Sequence, residues 1–482
     1  MDFKVVVLWT DVVLWVMLGL LALYIRHVRR DEALRATWRK VFVGPAAMAS
    51  AVVLMAMLLI TLLDSLHFRS ALPAVQGGEV AYDTRTRSVM DVALAGLVEG
   101  RENSYSSPLA THGFVKETVP PKAGSKPQLD EHGVPMLPKR AFPRLRHGGE
   151  HLQDTDKDWL WDVLWRGALG VAAGLAVGGT IGWLARPLWQ CAPVEGAPPP
   201  LAWRSAWITL TTLLVLGGLS IAWSTGYHVL GTDRTGNDVL YLSLKSVRTA
   251  FVIGSLATVA TLPLALGLGI AAGYFKGWVD DLIQYVYTVL SSVPNILLIA
   301  ACVLMVQVFL DKHPELFETG LERADLKIFL LCLILGLTGW AGLCRLLRAE
   351  TLKLRELEYV QAATAFGAGP WRIMRRHILP NVMHLVLITT VLEFSSLILY
   401  EAVLSYVGVG VDPSMNSFGG MINQARLEMS REPVVWWSFM AAFVFMVAIV
   451  LSANLFADAV RDAFDPRARV FRPLSRRSHA AA

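Results

Sequence analysis

Charge is scarce in this 482-residue chain: Asp, Glu, Lys and Arg make up 17% of it, against roughly 25% in soluble domains. The shortfall is concentrated in apolar runs of about 18 to 26 residues, long enough to cross the hydrocarbon core of a bilayer. With 54% hydrophobic residues and a mean hydropathy of +0.47, the composition is that of a membrane protein. Cysteine is also sparse. Cys191, Cys302, Cys332 and Cys344 lie far apart with no C-x-x-C pair, so neither disulfides nor zinc are expected. There is no G-x-x-x-x-G-K-[ST] loop to hold a nucleotide's phosphates, so any nucleotide-derived energy must come from another chain. There is no basic stripe with interleaved aromatics, and a net charge of +5 calls for no nucleic-acid partner.

What the chain does have is a succession of spanning candidates. Val5–Ile25 comes first, followed by Arg26, Arg29 and Arg30, which place its N-terminus outside. Its Asp11 is assigned to the outer end, at the interface. Ala46–Leu63 crosses outward to about 95 residues, Asp64 to Asp158, rich in prolines (Pro120, Pro121, Pro127, Pro135, Pro138, Pro143) and expected to be a partly ordered outer loop or small domain. Trp159–Leu184 and Ala206–Trp223 form a hairpin around Pro198-Pro199-Pro200. Phe251–Ala272, Leu282–Phe309 (kinked at Pro294), Ile328–Leu347, Val382–Tyr406 and Trp436–Phe456 follow. The tail carries Arg461, Arg467, Arg469, Arg472, Arg476 and Arg477. The expected fold is an all-α polytopic membrane protein of about nine transmembrane helices, N-terminus out and C-terminus cytoplasmic.

The chain is organised around Glu358–Asn381, a polar and basic segment between two apolar runs. Leu354, Leu357, Val360, Ala363 and Phe366 recur every third residue, predicting a short helix with one apolar face and with Glu356, Glu358 and Gln361 on the other. Gly367 stands where a C-terminal cap needs positive φ, and Pro370 where the next helix starts. A second helix, Trp371–Ile378, presents Arg372, Arg375 and Arg376, and Pro380 is expected to stop it.

This segment resembles the "EAA" loop of ABC importer permeases. Glu-Ala-Ala reads here Gln361-Ala362-Ala363, followed by Gly367 and by Leu379-Pro380, and His377–Asn381 is similar to the oligopeptide/dipeptide/nickel branch. Upstream, His228–Leu240 is similar to that branch's "LGTD..GRDVL" signature, in Gly231, Thr232, Asp233, Gly236 and Asp238. Thr232 or Asp233 is expected to cap the following helix. Glu401–Gly408 resembles the family's "EAALSFLG" string.

The resemblance implies a type I importer permease core over residues 228–469. The remaining parts are an N-terminal transmembrane pair at 1–64, an outer loop at 65–158, a transmembrane hairpin at 159–227 and a cytoplasmic tail at 470–482. Either Ala46–Leu63 or Ala206–Trp223 serves as the first core helix. The resemblance also implies a multi-pass subunit of the bacterial cytoplasmic membrane, in contact with lipid and without catalytic residues or cofactor of its own. It would work with a second permease, with one or two ATP-binding subunits that carry ATP and Mg, and with an extracytoplasmic solute-binding protein. Peptides are the expected cargo.

Two other readings compete. Glu393 and Glu401 fall within one span, and intramembrane carboxylates can mark an ion pathway; a structural carboxylate bonded to a neighbouring helix is the plainer alternative. His147-Gly148-Gly149-Glu150-His151 matches H-x-x-E-H, but consecutive glycines argue against the helix a zinc peptidase needs, and no metal site is expected.

Overall fold

The computed structural model describes residues 3–72, 82–83, 85–118, 140–152, 155–189, 200–317 and 319–464. Pro120, Pro121, Pro127, Pro135, Pro138, Cys191, Pro198, Pro199, Arg467, Arg469, Arg472, Arg476 and Arg477 lie outside the described residues.

β1 (Phe3–Val6) precedes α1 (Trp9–Arg30), and Asp31 accepts hydrogen bonds from the Ala33 and Leu34 amides to open α2 (Glu32–Val41). α3 (Pro45–Asp64) starts on its proline and returns to β2 (His67–Ser70), which pairs antiparallel with both β1 and β3 (Arg87–Ser88). A capping box between Ser88 and Asp91 starts α4 (Val89–Ala93), followed by α5 (Ala95–Glu99). β4 (Glu117–Thr118) and β5 (Arg140–Ala141) form a second small ladder. The outer loop is therefore structured at both of its ends.

α6 (Thr155–Leu184), α7 (Arg186–Trp189) and α8 (Trp203–Ser224) form the hairpin. Its helices touch through glycine: a Cβ on Gly174 would stand 2.5 Å from the Val215 Cα, and one on Gly170 2.6 Å from the Gly218 carbonyl. Without a hydrophobic drive between helices in lipid, such close backbone approach is what holds them.

α9 (Val239–Phe275), at 37 residues, starts well before the expected Phe251. α10 (Gly277–Ser292) and α11 (Asn295–Lys312) replace the single kinked span expected over Leu282–Phe309, because Val293 takes an extended conformation ahead of Pro294. Similarly, Ile328–Leu347 is divided between α12 (Gly320–Gly339) and α13 (Ala341–Arg355), bent by 40°. α14 (Glu358–Ala365) and α15 (Pro370–Ile373) lead through a π-helical turn, Met374–Ile378, into α16 (Leu379–Val407). α17 (Phe418–Glu428) and α18 (Trp437–Phe464) complete the described chain. Among the described residues eight helical runs are long and apolar enough to cross a membrane, and the bent α12–α13 pair makes nine. The architecture is all-α and polytopic, as the hydropathy requires.

α9 is the central element, packed against α3, α10, α12, α13, α16 and α18. Of the two candidates for first core helix, α3 lies against α9 and α18. α8 packs on α6 and α3 and has no buried residue, so the α6–α8 hairpin sits at the margin despite its nearness in sequence.

Asp11 is not at the interface. It is 3% exposed, and its carboxylate accepts from Arg248 Nη2 (2.6 Å) and Ser65 Oγ (2.7 Å) and pairs with His67 Nδ1 (2.9 Å). Asp325 on α12 lies 3.8 Å from the same guanidinium and accepts from the Thr10 amide (3.1 Å) and the Thr10 hydroxyl. A carboxylate in an apolar helix is costly unless paired, and α9 supplies the partner. Removing one member of such a cluster strands a buried charge, at a cost of about 3–5 kcal/mol, whereas removing all of it costs far less. Arg248→Met is accordingly expected to lower the thermal midpoint of the detergent-solubilised chain sharply, and the triple variant with Asp11→Asn and Asp325→Asn to recover much of the loss. Equal midpoints for the single and triple variants would show that the charges are not coupled.

Candidate functional site

The basic turn around α2 packs on the C-terminal end of α18 through Val41, Ala47, Val460 and Ala463. The elbow between α14 and α15 is at the C-terminal end of α9, where Lys276 Nζ meets Glu356 Oε1 at 2.9 Å and Arg355 Nη1 donates to the Tyr274 carbonyl at 2.6 Å. The small sheet, the 225–238 loop and the segment after α16 lie towards the other end, where Trp437 Nε1 donates to the Thr232 carbonyl (2.9 Å). One end carries the elbow and the other a pinned loop.

The elbow is closed by its own backbone. The Gly367 amide donates to the Thr364 carbonyl (3.0 Å) and the Ala368 amide to the Ala363 carbonyl (3.1 Å), the two bonds of a Schellman cap, with Gly367 at φ +77°. Pro370 opens α15 as predicted. Pro380 does not stop the second helix. The Leu379 amide reaches back five residues to Met374, and this π turn shifts the hydrogen-bond ladder where the proline has no N–H to give. The helix therefore runs unbroken from Pro370 to Val407.

Burial also departs from the expected stripe. Of Leu354, Leu357, Val360, Ala363 and Phe366, only Val360 is buried. It joins Ile373, Ile378 and Val382 in a cluster with Ile270, Cys344 and Leu347, which roots the elbow in α9 and α13. Phe366 and Trp371, by contrast, are 92% and 73% exposed at the tip. The Arg372, Arg375 and Arg376 guanidiniums are exposed and have no partner among the described residues. Glu358 and Ala362 are exposed in the same way, Ala363 and Leu379 half-buried. Gln361 has a reason to be an amide: its Nε2 donates to the Glu356 carbonyl (3.2 Å), which a carboxylate could not do. Beneath the elbow, Arg348 grips Asp280 through two bonds (2.5 and 2.7 Å), tying α13 to α10 and holding the Asp280 carboxyl below its usual range.

At the opposite end, the cap of α9 is Asp238, which accepts from the Tyr241 amide (3.0 Å), rather than Thr232 or Asp233. Those two build the loop instead. Asp233 Oδ1 accepts from the Thr235 and Asn237 amides, while Thr232 Oγ1 donates to the Ser104 carbonyl and accepts from the Ser106 amide. Gly231 has φ +73° and Gly236 φ +77°. At Gly236 a Cβ would fall 1.9 Å from the Glu102 carbonyl oxygen, so only glycine lets the two loops meet.

His228, fully buried, bonds Asp238 at 2.8 Å, with Glu102 Oε1 at 3.6 Å, near enough for charge but too far for an ordinary hydrogen bond. Burial opposes protonation, yet the bond and charge of Asp238 with Glu102 beside it prevail and raise the imidazole to about 9. Nothing in the signature singled out His228 or Glu102. An ionisable residue at each end of one tight turn was the available signal.

Of the two carboxylates of α16, Glu401 is buried and accepts from Ser405 Oγ (2.7 Å), which also accepts from the Val411 amide. It braces the turn after the helix. Glu393 is half-buried on the same helix. His147–His151 is turn, not helix: His147 bonds the Ser224 carbonyl (2.8 Å) and His151 lies 3.0 Å from Asp162, so the two imidazoles do not converge.

Because a raised histidine stabilises only while protonated, its contribution is complete below about pH 6.5 and fades as pH climbs through 9. The wild-type thermal midpoint should therefore fall by several degrees between pH 8 and 10 relative to a His228→Gln variant. A constant offset between the two proteins over that range would show that the imidazole is not charged.

A family model described as "Binding-protein-dependent transport system inner membrane component" matches residues 265–470. The chain is 32% identical over 245 residues to the oligopeptide transport system permease protein OppC of Mycobacterium tuberculosis, covering 51% of this chain and 78% of that protein. It is 31% identical over 240 residues to the glutathione transport system permease protein GsiD of Pectobacterium atrosepticum, covering 50% and 73%. Among solved structures it is similar to inward-facing forms of the MetNI methionine ABC transporter, at 18% identity and a TM-score of 0.34 over 46% of this chain and 93% of that one.

Proposed function

This chain belongs to the family of binding-protein-dependent transport system inner membrane components and is a permease subunit, and from that premise we propose that it imports peptides in partnership with separate ATPase subunits. The observation that carries the coupling role is the elbow. Its tip offers two large exposed aromatics and three unpaired arginines, the composition of an interface anchor, while its base is fixed in the core by Val360, Ile373, Ile378 and Val382.

A partner holding that tip would move α14 and α15 together, since the Schellman cap and the Asn381 Nδ2 bond to the Tyr359 hydroxyl (3.0 Å) leave no free joint between them. The motion would pass along the unbroken 370–407 helix into the span. ATP and Mg belong to the partner, whose closure drives the alternation of the cavity. The chain itself contributes position and leverage. A second permease completes the path, and an extracytoplasmic solute-binding protein delivers cargo to the outer end. In this reading the elbow end faces the cytoplasm of a bacterial cell and the N-terminus lies outside, which the basic residues of the turn at α2 and Arg461 support. The permease core runs over 228–469 and is completed by α3. The ion-coupled alternative finds no support: Glu401 is engaged by Ser405, and the family's members depend on a binding protein.

The test is a mild-detergent pull-down of the tagged chain, with mass spectrometry and an ATPase assay of what co-purifies. A P-loop ATPase and a second permease are expected. Phe366→Ser with Trp371→Ser should lose the ATPase without loss of folded chain, since neither ring is packed. Gly367→Val should keep insertion and ATPase activity but lower peptide uptake at least tenfold. Beyond the chain neighbours nothing lies within 4 Å of an added Cβ, so the main effect is backbone strain at positive φ, about 1–2 kcal/mol. Unchanged uptake would remove the elbow from the coupling path.

A further inference from the structure

A polar cavity of about 330 Å³ opens where the outer loop meets α9 and α12, apart from the elbow and the pinned loop. Its walls come from both sides: Arg85, Arg87, Asp91 and Glu99 from the outer segment, Tyr241, Lys245, Arg248 and Asn416 from the helical body. Some of these charges are already spent. Lys245 Nζ lies 2.8 Å from Asp64 and 2.7 Å from Asp91, and the Tyr241 hydroxyl donates to Asp91 at 2.8 Å. Others are not. The exposed guanidiniums of Arg85 and Arg87 have no hydrogen-bond or ion-pair partner among the described residues, nor has the carboxylate of Glu99. Below them Arg248 is 96% buried, and its Nε–H has no hydrogen-bond partner although its Nη2 is engaged by Asp11.

A buried guanidinium N–H left unpaired costs free energy unless a ligand or water takes it. Free charges of both signs around one cavity do not suit a phosphate or a metal ion, which would need an excess of one sign. They suit a molecule that carries an anion at one end and a cation at the other. The volume falls at the lower end of the range of about 300–1,000 Å³ typical of small-molecule sites, which excludes a long chain.

We propose that this cavity is a subsite for a short peptide in its zwitterionic form, with the C-terminal carboxylate on Arg85, Arg87 and the Arg248 Nε–H and the N-terminal ammonium on Glu99. It rests on the peptide-import reading for its cargo, and extends that reading by giving the permease its own contact with both peptide termini. The planar guanidiniums match a carboxylate, and the neighbouring Asn416 amide is available to a peptide group.

The experiment is equilibrium dialysis of radiolabelled tri-alanine against the full chain in lipid nanodiscs, with N-acetyl-tri-alanine amide as the blocked control. Saturable binding of tri-alanine is expected, with the control bound at least tenfold more weakly. Arg85→Gln with Arg87→Gln, and separately Glu99→Gln, should each weaken tri-alanine at least tenfold. All three side chains are exposed, so an unchanged gel-filtration profile verifies the fold. No binding by the wild type, or equal binding by wild type and variants, overturns the subsite. Assaying the same preparations for a co-purifying ATPase keeps the two claims apart. An ATPase without tri-alanine binding rejects the subsite and retains the importer, whereas tri-alanine binding in a chain that recruits no ATPase supports the subsite and rejects the importer.

Discussion

One guanidinium holds the outer half of the molecule together. Arg248 sits in the middle helix, α9, and its nearest charges come from α1 and α12, two elements some three hundred residues apart in sequence. In a medium where unpaired charge is penalised by several kcal/mol, α1 cannot be placed anywhere that leaves Asp11 unmatched. Fixing α1 fixes β1, and β1 fixes β2 and β3, so the outer sheet and the cavity beside it follow from this one cluster. His67, on β2, closes the circuit by bonding Asp11 itself.

The other half is governed by continuity of the backbone instead of charge. Between Arg355 and Val407 the chain changes direction twice, and each change is closed by backbone hydrogen bonds. The Schellman cap handles the first turn and the π turn takes up the proline. Such devices let a short polar segment be stiff without a large core of its own. Stiffness there and exposure at Phe366 and Trp371 are complementary, because a lever must be rigid at its root and available at its tip. The Arg348–Asp280 pair and the Lys276–Glu356 pair brace that root from α10 and from the end of α9.

Much of this was legible beforehand, for physical reasons. Apolar length is a direct measure of bilayer thickness, so the spans could be counted. Glycine at a positive-φ cap and proline at a helix start are local requirements, so Gly367 and Pro370 could be placed. Local rules misled where a second conformation was as cheap as the expected one. Pro380 reads as a stop, but a wide turn accommodates it. Leu282–Phe309 reads as one kinked helix, but an extended Val293 ahead of Pro294 allows a clean break. The stripe from Leu354 to Phe366 has helical period, yet period does not say whether a partner lies opposite, and Phe366 faces none within this chain.

What the sequence determined by itself, then, is what depends on a residue and its near neighbours: the membrane class, the spans, the elbow, and the absence of a nucleotide-binding loop. What only the tertiary structure decided depends on pairing across the chain. Asp11 and Asp325 both found Arg248, Asp238 capped α9 with one oxygen while the other took His228, and α3 rather than the nearer α8 was seated on α9 and α18. The reason is the same in each case: a buried charge or an apolar face has several candidate partners in one dimension, and only packing in three selects among them.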